Sequence, residues 1–169
     1  MPYLVNLDTY LFQFINTHLS NPLFDKISLF LDKPQKELWF IILLLAVWSY
    51  IIYRDKQNRL IFIFIIPLGL LFTDQIGHYI KDLELRERPY MKLEDDKIQI
   101  KLDKIKKNEQ GQYPDSKSSR RSFPSNHAAN ICFLMYLLSY TYPKTKKICY
   151  LLAIIIVLSR VYLGVHYPL

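Results

Sequence analysis

Residues 38–53, 60–73, 128–142 and 148–158 contain no charged side chain. Runs such as IILLLAVW and IFIFIIPLGLLF have no polar face, and a helix on the surface of a water-soluble domain needs one. Backbone crossing lipid must satisfy its own hydrogen bonds, which leaves the helix as the form for such segments. A span takes about 17–25 residues at ~1.5 Å each. These runs reach that length when polar flanks such as 74–81 and 159–164 continue the helix and snorkel to the interface. The expected fold is therefore an all-α, polytopic membrane helix bundle, one domain over residues 1–169, with spans at 37–53, 59–81, 126–142 and 147–164.

Mean hydropathy is only +0.05 although 51% of residues are hydrophobic. That near-neutral value averages two materials, the apolar runs and a stretch at 91–121 with nine Lys/Arg and six Asp/Glu. The combination argues against a soluble globule. Its charge density predicts that the extramembrane loop, 90–122, is disordered or partly ordered rather than a closed lid. Residues 1–33 differ in kind: Leu4, Leu7, Leu11, Phe14, Ile15 and His18 recur at helical spacing among polar residues. This pattern predicts interfacial amphipathic helices, without the charged start and cleavage site of a removable leader. Cys132 and Cys149 fall at different depths of their spans and are expected to be inert, unpaired thiols.

Four alternating spans decide which connections share a side. The turns RDKQNR (54–59, formal charge +2) and PKTKK (143–147, +3) lie at one end. The opposite end gathers KDLELRERP (81–89), FPSNH (123–127) and SRVYLGVH (159–166). By the positive-inside rule the two basic turns face the cytoplasm and the three strings face outward.

Each string has an ordinary and a chemical reading. Lys81, Arg86 and Arg88 precede Pro89 and could simply be snorkelling charges that end a span. Ser125 before an apolar run reads as a helix N-cap, with the free amides of Asn126 and His127 forming an anion-binding helix end. Arg160 within the last turns of a span is costly unless paired or facing a polar cavity. His166 follows Gly164 on the same side. Asp74, His78 and Lys81 form an i, i+4, i+7 stripe, read as an internal hydrogen-bond and ion-pair row rather than a metal site.

Taken together the strings resemble the signature of the type 2 phosphatidic acid phosphatase family, KX6RP, PSGH and SRX5HX3D. Lys81, Arg88 and Pro89 match the first element; Pro124, Ser125 and His127 match the second, with Asn126 in the place of glycine. Asparagine tolerates positive φ better than most residues, so the turn expected there can survive. Ser159, Arg160 and His166 match the third, and its aspartate would fall immediately after Leu169, where the sequence stops. The expectation is a chain cut short relative to the working enzyme.

The resemblance implies a membrane lipid phosphatase working without metal or other cofactor. Lys81, Arg88 and Arg160 would clamp the phosphoryl oxygens, with Ser125 and Asn126 adding amide donors. His166 would be the nucleophile, His127 the general acid and base. The implied partners are a phosphorylated lipid substrate and membrane lipid, with no nucleic acid and no defined oligomeric state. The implied location is a bacterial inner membrane, active site outward. Candidate substrates include phosphatidic acid, phosphatidylglycerophosphate, undecaprenyl pyrophosphate and lipid A 1-phosphate. Arg86, Arg120 and Arg121 favour a bulky, multiply charged lipid, and lipid A best of these. Phosphotransfer to an acceptor hydroxyl and non-catalytic binding of anionic lipid are the alternatives.

Overall fold

The computed structural model describes residues 2–32, 34, 37–83, 86–102, 105, 107–108, 110–113 and 121–168. Regular structure among them is entirely helical. Helices α1 (Pro2–Gln13) and α2 (Pro22–Asp32) are joined through a wide turn at Phe14–His18, and α3 (Leu38–Arg54) follows. A second wide turn, Ile61–Ile65, leads into α4 (Ile66–Leu83), and it ends two residues before Pro67. Proline cannot donate to the helical ladder and crowds the preceding turn, so local widening is the expected accommodation. The short α5 (Pro89–Lys92) opens the charged stretch, and α6 (Asn126–Thr141) and α7 (Lys146–Tyr162) complete the chain.

Helices α4, α6 and α7 form the central bundle, with α6 packed against both neighbours and α2 laid against α7. Close approach of α4 and α6 depends on small residues. A Cβ on Gly69 would stand 2.0 Å from the Phe133 ring, and one on Gly77 would stand 2.4 Å from Asn126 Oδ1. Asp74 sits on the same seam, its Oδ1 accepting from Asn126 Nδ2 at 3.0 Å and Asn130 Nδ2 at 3.1 Å. The hydrogen-bond donors to the Asp74 carboxylate are thus on the neighbouring helix, while Lys81, two turns along its own, interacts with it electrostatically.

The two basic turns share one end of the bundle. Asp55 accepts from the Asn58 amide at 3.0 Å and from Tyr142 Oη at 2.7 Å, tying the α3–α4 turn to the end of α6. Among the described residues one segment, Ile61–Leu83, is long and apolar enough to cross a membrane; α3 is apolar but shorter, at 17 residues, and has no buried residue.

The N-terminal helices and the charged stretch pack on one another. Asp8, Phe12 and Asn16 are the buried face of α1 and its turn, whereas Leu4, Leu7 and Phe14 are exposed. Described residues of the charged stretch are also folded. Tyr90, Ile98, Leu102 and Ile105 join Phe12, Val161, Leu163 and Val165 in one apolar core. Asn16 fastens this core: its Nδ2 donates to the carbonyls of Gln99 and Tyr162, both at 2.8 Å, and its Oδ1 accepts from the Gln99 amide at 2.7 Å.

Candidate active site

The three sequence strings meet at the end of the bundle opposite the basic turns. Each arrives there by a different local device. Lys81 lies in the last turn of α4. Arg88 has extended backbone (φ −72°, ψ 155°) because Pro89, at the first position of α5, disfavours helix before it. Ser125 is the N-cap of α6, its Oγ accepting from the Ala128 amide at 3.4 Å. Asn126 and His127 are therefore first-turn residues, whose amides lack intrahelical acceptors.

Asn126 is not the left-handed turn residue that its replacement of glycine led us to expect. Positive φ among the described residues occurs only at Gly111 and Gly164. The Asn126 side chain is instead drawn toward Asp74, into space left by Gly77.

The third string owes its spacing to the way α7 ends. The Gly164 amide donates to Val161 O at 2.9 Å and the Val165 amide to Arg160 O at 3.3 Å, with Gly164 at φ +80°. This is a Schellman termination, in which a left-handed residue reverses the chain over the last turn. Reversal puts His166 and Arg160 on the walls of one cavity of about 150 Å³, together with Ser125, Ser122, Arg86 and Tyr167.

Within it, His166 Nδ1 is 2.5 Å from the main-chain carbonyl of Ser122. A carbonyl only accepts, so Nδ1 carries the proton and Nε2 keeps its lone pair. The Ser122 amide donates to Arg86 O at 2.8 Å, which fixes that carbonyl in turn. Burial, foremost, and then the charge of Arg88 hold the imidazole far below its ordinary range, at a pKa of about 3, against the opposing pull of the Ser122 bond. Arg160 and Lys81 also act on it. His166 is thus a neutral imidazole surrounded by cations.

Lys81, Arg88, Asn126 and His127 are not on the walls of that cavity. Three of them are within electrostatic range of its walls: Lys81 and Arg88 act on His166, and His127 interacts with Arg160. Arg88 Nε, Arg160 Nε and His127 Nε2 are buried without a hydrogen-bond partner among the described residues. Leaving a buried polar group unsatisfied costs about 1–3 kcal/mol. Several such groups around one neutral histidine make an arrangement suited to a multiply charged anion.

Asp32 was not legible as a site residue. At the end of α2 it accepts from Arg160 Nη1 in a pair buried on both sides, and it also interacts with Arg88 and His127. In sequence it belongs to the interfacial segment, 128 positions from its partner, and no local spacing reveals the pairing. Arg121 pairs with Asp82, whereas Arg120 lies outside the described residues. Cys132 and Cys149 are both free. Among the described residues no three His, Cys, Asp or Glu side chains converge as a metal-binding group.

Residues 58–169 match the PAP2 superfamily. The chain belongs to that superfamily. It is accordingly a phosphatase-type hydrolase related to the type 2 phosphatidic acid phosphatases, and the matched region contains all three strings. No curated protein matches the chain, and no solved structure does.

Proposed function

We propose that this PAP2-superfamily chain is an integral membrane phosphatase that removes a phosphoryl group from a lipid headgroup through a phosphohistidine. The observation that carries the reading is the paired state of the site: His166 with Nδ1 occupied and Nε2 available, beside buried, unpartnered donors on Arg88 and Arg160. In the first step Nε2 attacks phosphorus, a P–N bond forms, the P–O ester bond breaks, and His127 gives its proton to the departing oxygen. In the second, His127 takes a proton from water, the hydroxide displaces His166, and phosphate leaves with the P–N bond pair returned to Nε2. Arg88, Arg160 and Lys81 neutralise the equatorial oxygens in both steps, arginine through paired donors and lysine as a point charge. This charge set supports turnover in the presence of a chelator.

The membrane reading is supported by Ile61–Leu83 and by apolar side chains on the bundle's outside, including Leu38, Ile42, Leu45, Leu71, Phe72 and Leu151. A soluble protein rarely exposes so large an apolar area. The three strings lie where headgroups would meet the bundle.

The test is phosphate release from a panel of purified lipids: diacylglycerol phosphate, a phosphorylated sugar lipid such as lipid A and a polyprenyl diphosphate, each with and without chelator. His166→Ala and His127→Ala are expected to abolish release while Lys97→Ala retains it. Rapid quenching with labelled substrate should trap an acid-labile, base-stable phosphoprotein in wild type and none in His166→Ala. Normal turnover by both histidine variants would remove the catalytic assignment.

A further inference from the structure

The end of the bundle away from His166 carries a groove of its own, of about 640 Å³, between the last turns of α3 and the start of the segment Ile61–Leu83. That volume falls within the range of about 300–1,000 Å³ usual for small-molecule sites. Lys56 and Arg59 line it from the connecting turn, and Ile52, Leu60 and Ile63 supply apolar walls. The side chains of Lys56 and Arg59 make no ion pair or hydrogen bond among the described residues.

The nearest acid does not neutralise them. Across residues 37–83 and 121–168, which hold α3, α4, α6, α7 and both basic turns, the acidic residues are Glu37, Asp55, Asp74 and Asp82. Glu37 precedes α3 and Asp82 ends α4, both at the His166 end, while Asp74 lies midway along α4 and is bonded to α6. Asp55 alone belongs to the groove's end, and both of its oxygens are taken. Oδ1 accepts from the Asn58 amide at 3.0 Å, and Oδ2 accepts from Asn58 Nδ2 at 2.9 Å and from Tyr142 Oη at 2.7 Å. The turn thus folds its carboxylate toward α6 and leaves two cations over an apolar groove. An anion between them would gain charge-assisted hydrogen bonds. Ser49, whose hydroxyl has no partner among the described residues, adds a donor on the α3 side.

The occupant that fits is amphiphilic. A soluble anion would leave the apolar walls to water, and an uncharged lipid would leave the cations unmatched. A zwitterionic headgroup would bring its ammonium toward two cations with no free carboxylate beside them. The α3 wall continues onto the outer face of that helix through Leu45 and Ile42, one and two turns before Ser49 and both more than half exposed. Tyr53, also on the groove, is a residue type enriched at the level of lipid headgroups. We infer that this groove binds an anionic diacyl phospholipid, its phosphodiester between Lys56 and Arg59 and its acyl chains along Ile52, Leu60 and Ile63 toward Leu45. The inference rests on the membrane reading and on no part of the phosphatase chemistry, because this phosphate is held at the end of the bundle away from His166. Its structural consequence is at α3, which has no buried residue: a lipid wedged between α3 and Ile61–Leu83 adds packing that the chain itself does not supply.

The experiment titrates fluorescent phosphatidylglycerol and phosphatidylcholine of matched chains into the full chain in neutral detergent. Salt at about 0.15 M limits diffuse attraction to a range of about 8 Å. Phosphatidylglycerol is expected to bind about tenfold more tightly than phosphatidylcholine. Lys56→Ala and Arg59→Ala should each weaken it by about tenfold, the worth of one hydrogen bond to a charged group. Ser49→Phe, which fills the groove and keeps both cations, should weaken it as much. Lys144→Ala and Lys147→Ala remove the same charge from the same end outside the groove and should leave the affinity unchanged. Equal binding of the two lipids, affinity unmoved in all three groove variants, or an equal loss in the Lys144 and Lys147 variants overturns the inference, and the membrane reading stands if the protein still needs detergent to stay dispersed. A protein that stays dispersed without detergent overturns both.

Discussion

At the scale of single residues, the site is governed by two buried groups whose charge states are opposite in kind. Arg160 is charged and held by Asp32, each about 8% exposed. Removing one member of a buried pair strands the other, typically at a cost of about 3–5 kcal/mol. Asp32→Ala should therefore lower stability by roughly that amount. Asp32→Asn keeps an acceptor and should fold, yet lose about tenfold or more in kcat/KM as the guanidinium loses its charged anchor. Thermal unfolding alongside phosphate-release kinetics separates the two effects, and an Asn variant with unaltered kcat/KM would limit Asp32 to a structural role. His166 is the converse, neutral by burial. Its pKa in the folded chain is about 3 against an ordinary 6.5, so between those values the unfolded chain binds a proton that the folded chain refuses. The associated stability is complete above pH 6.5 and is lost as pH falls toward 3, at up to ~1.4 kcal/mol per unit. Unfolding free energy should drop by on the order of 2 kcal/mol from pH 7 to 4.5 through this group, and His166→Asn should flatten that slope.

Helix extents were largely legible because each depends on local signals. The apolar run after Ser125 begins α6 at Asn126, and α3 and α6 end at Arg54 and Thr141, where the uncharged runs give way to polar turns. The polar contacts between elements were not, because their partners are remote in sequence. Asp74, His78 and Lys81 read as a row along one helix, and Asp74 does act on Lys81, but its carboxylate takes its hydrogen bonds from Asn126 and Asn130, 52 and 56 positions away. In the charged stretch, expected to be disordered or partly ordered, averaging the charge hid the alternation of Ile98, Ile100 and Leu102, which packs into the core of Phe12 and Val165. The His166 spacing could be recognised as a motif, but its cause, a helix end reversed at Gly164, is visible only in the backbone. The α4–α6 seam gives the sharpest test at this scale. Gly77→Ala places a methyl 2.4 Å from Asn126 Oδ1, an overlap costing about 1–3 kcal/mol. Asn126→Ala loses the bond to Asp74 but clears that space. A double-mutant cycle measured by thermal unfolding should therefore show the pair of changes costing less than the sum of the singles, whereas simple additivity would mean that the two side chains do not meet.

Over the whole molecule, polar and apolar matter are sorted in two directions. Across the bundle, polar groups such as Asp8, Asn16, Asp32 and Arg160 turn inward while Leu4, Leu7, Leu38 and Ile42 face out, the inverse of a water-soluble domain. Along it, the basic turns 54–59 and 143–147 occupy one end, joined through Asp55 and Tyr142, and the proposed phosphoryl site occupies the other. An apolar girdle between two polar ends is what a bilayer stabilises, and under the membrane reading proposed above the charge of the short turns would keep their end in the cytoplasm. The expected behaviour follows from both directions of sorting. Alkaline carbonate and high salt should leave the protein with the membrane pellet, and detergent should release it. In a background with Cys132 and Cys149 changed to Ala, Lys97→Cys on the site side should react with a membrane-impermeant maleimide added to intact cells. Gln57→Cys should react only after the membrane is opened. Reaction at both positions in intact cells would contradict the spanning arrangement, while labelling of Gln57→Cys alone would keep the arrangement but reverse it, placing the phosphatase site on the cytoplasmic face.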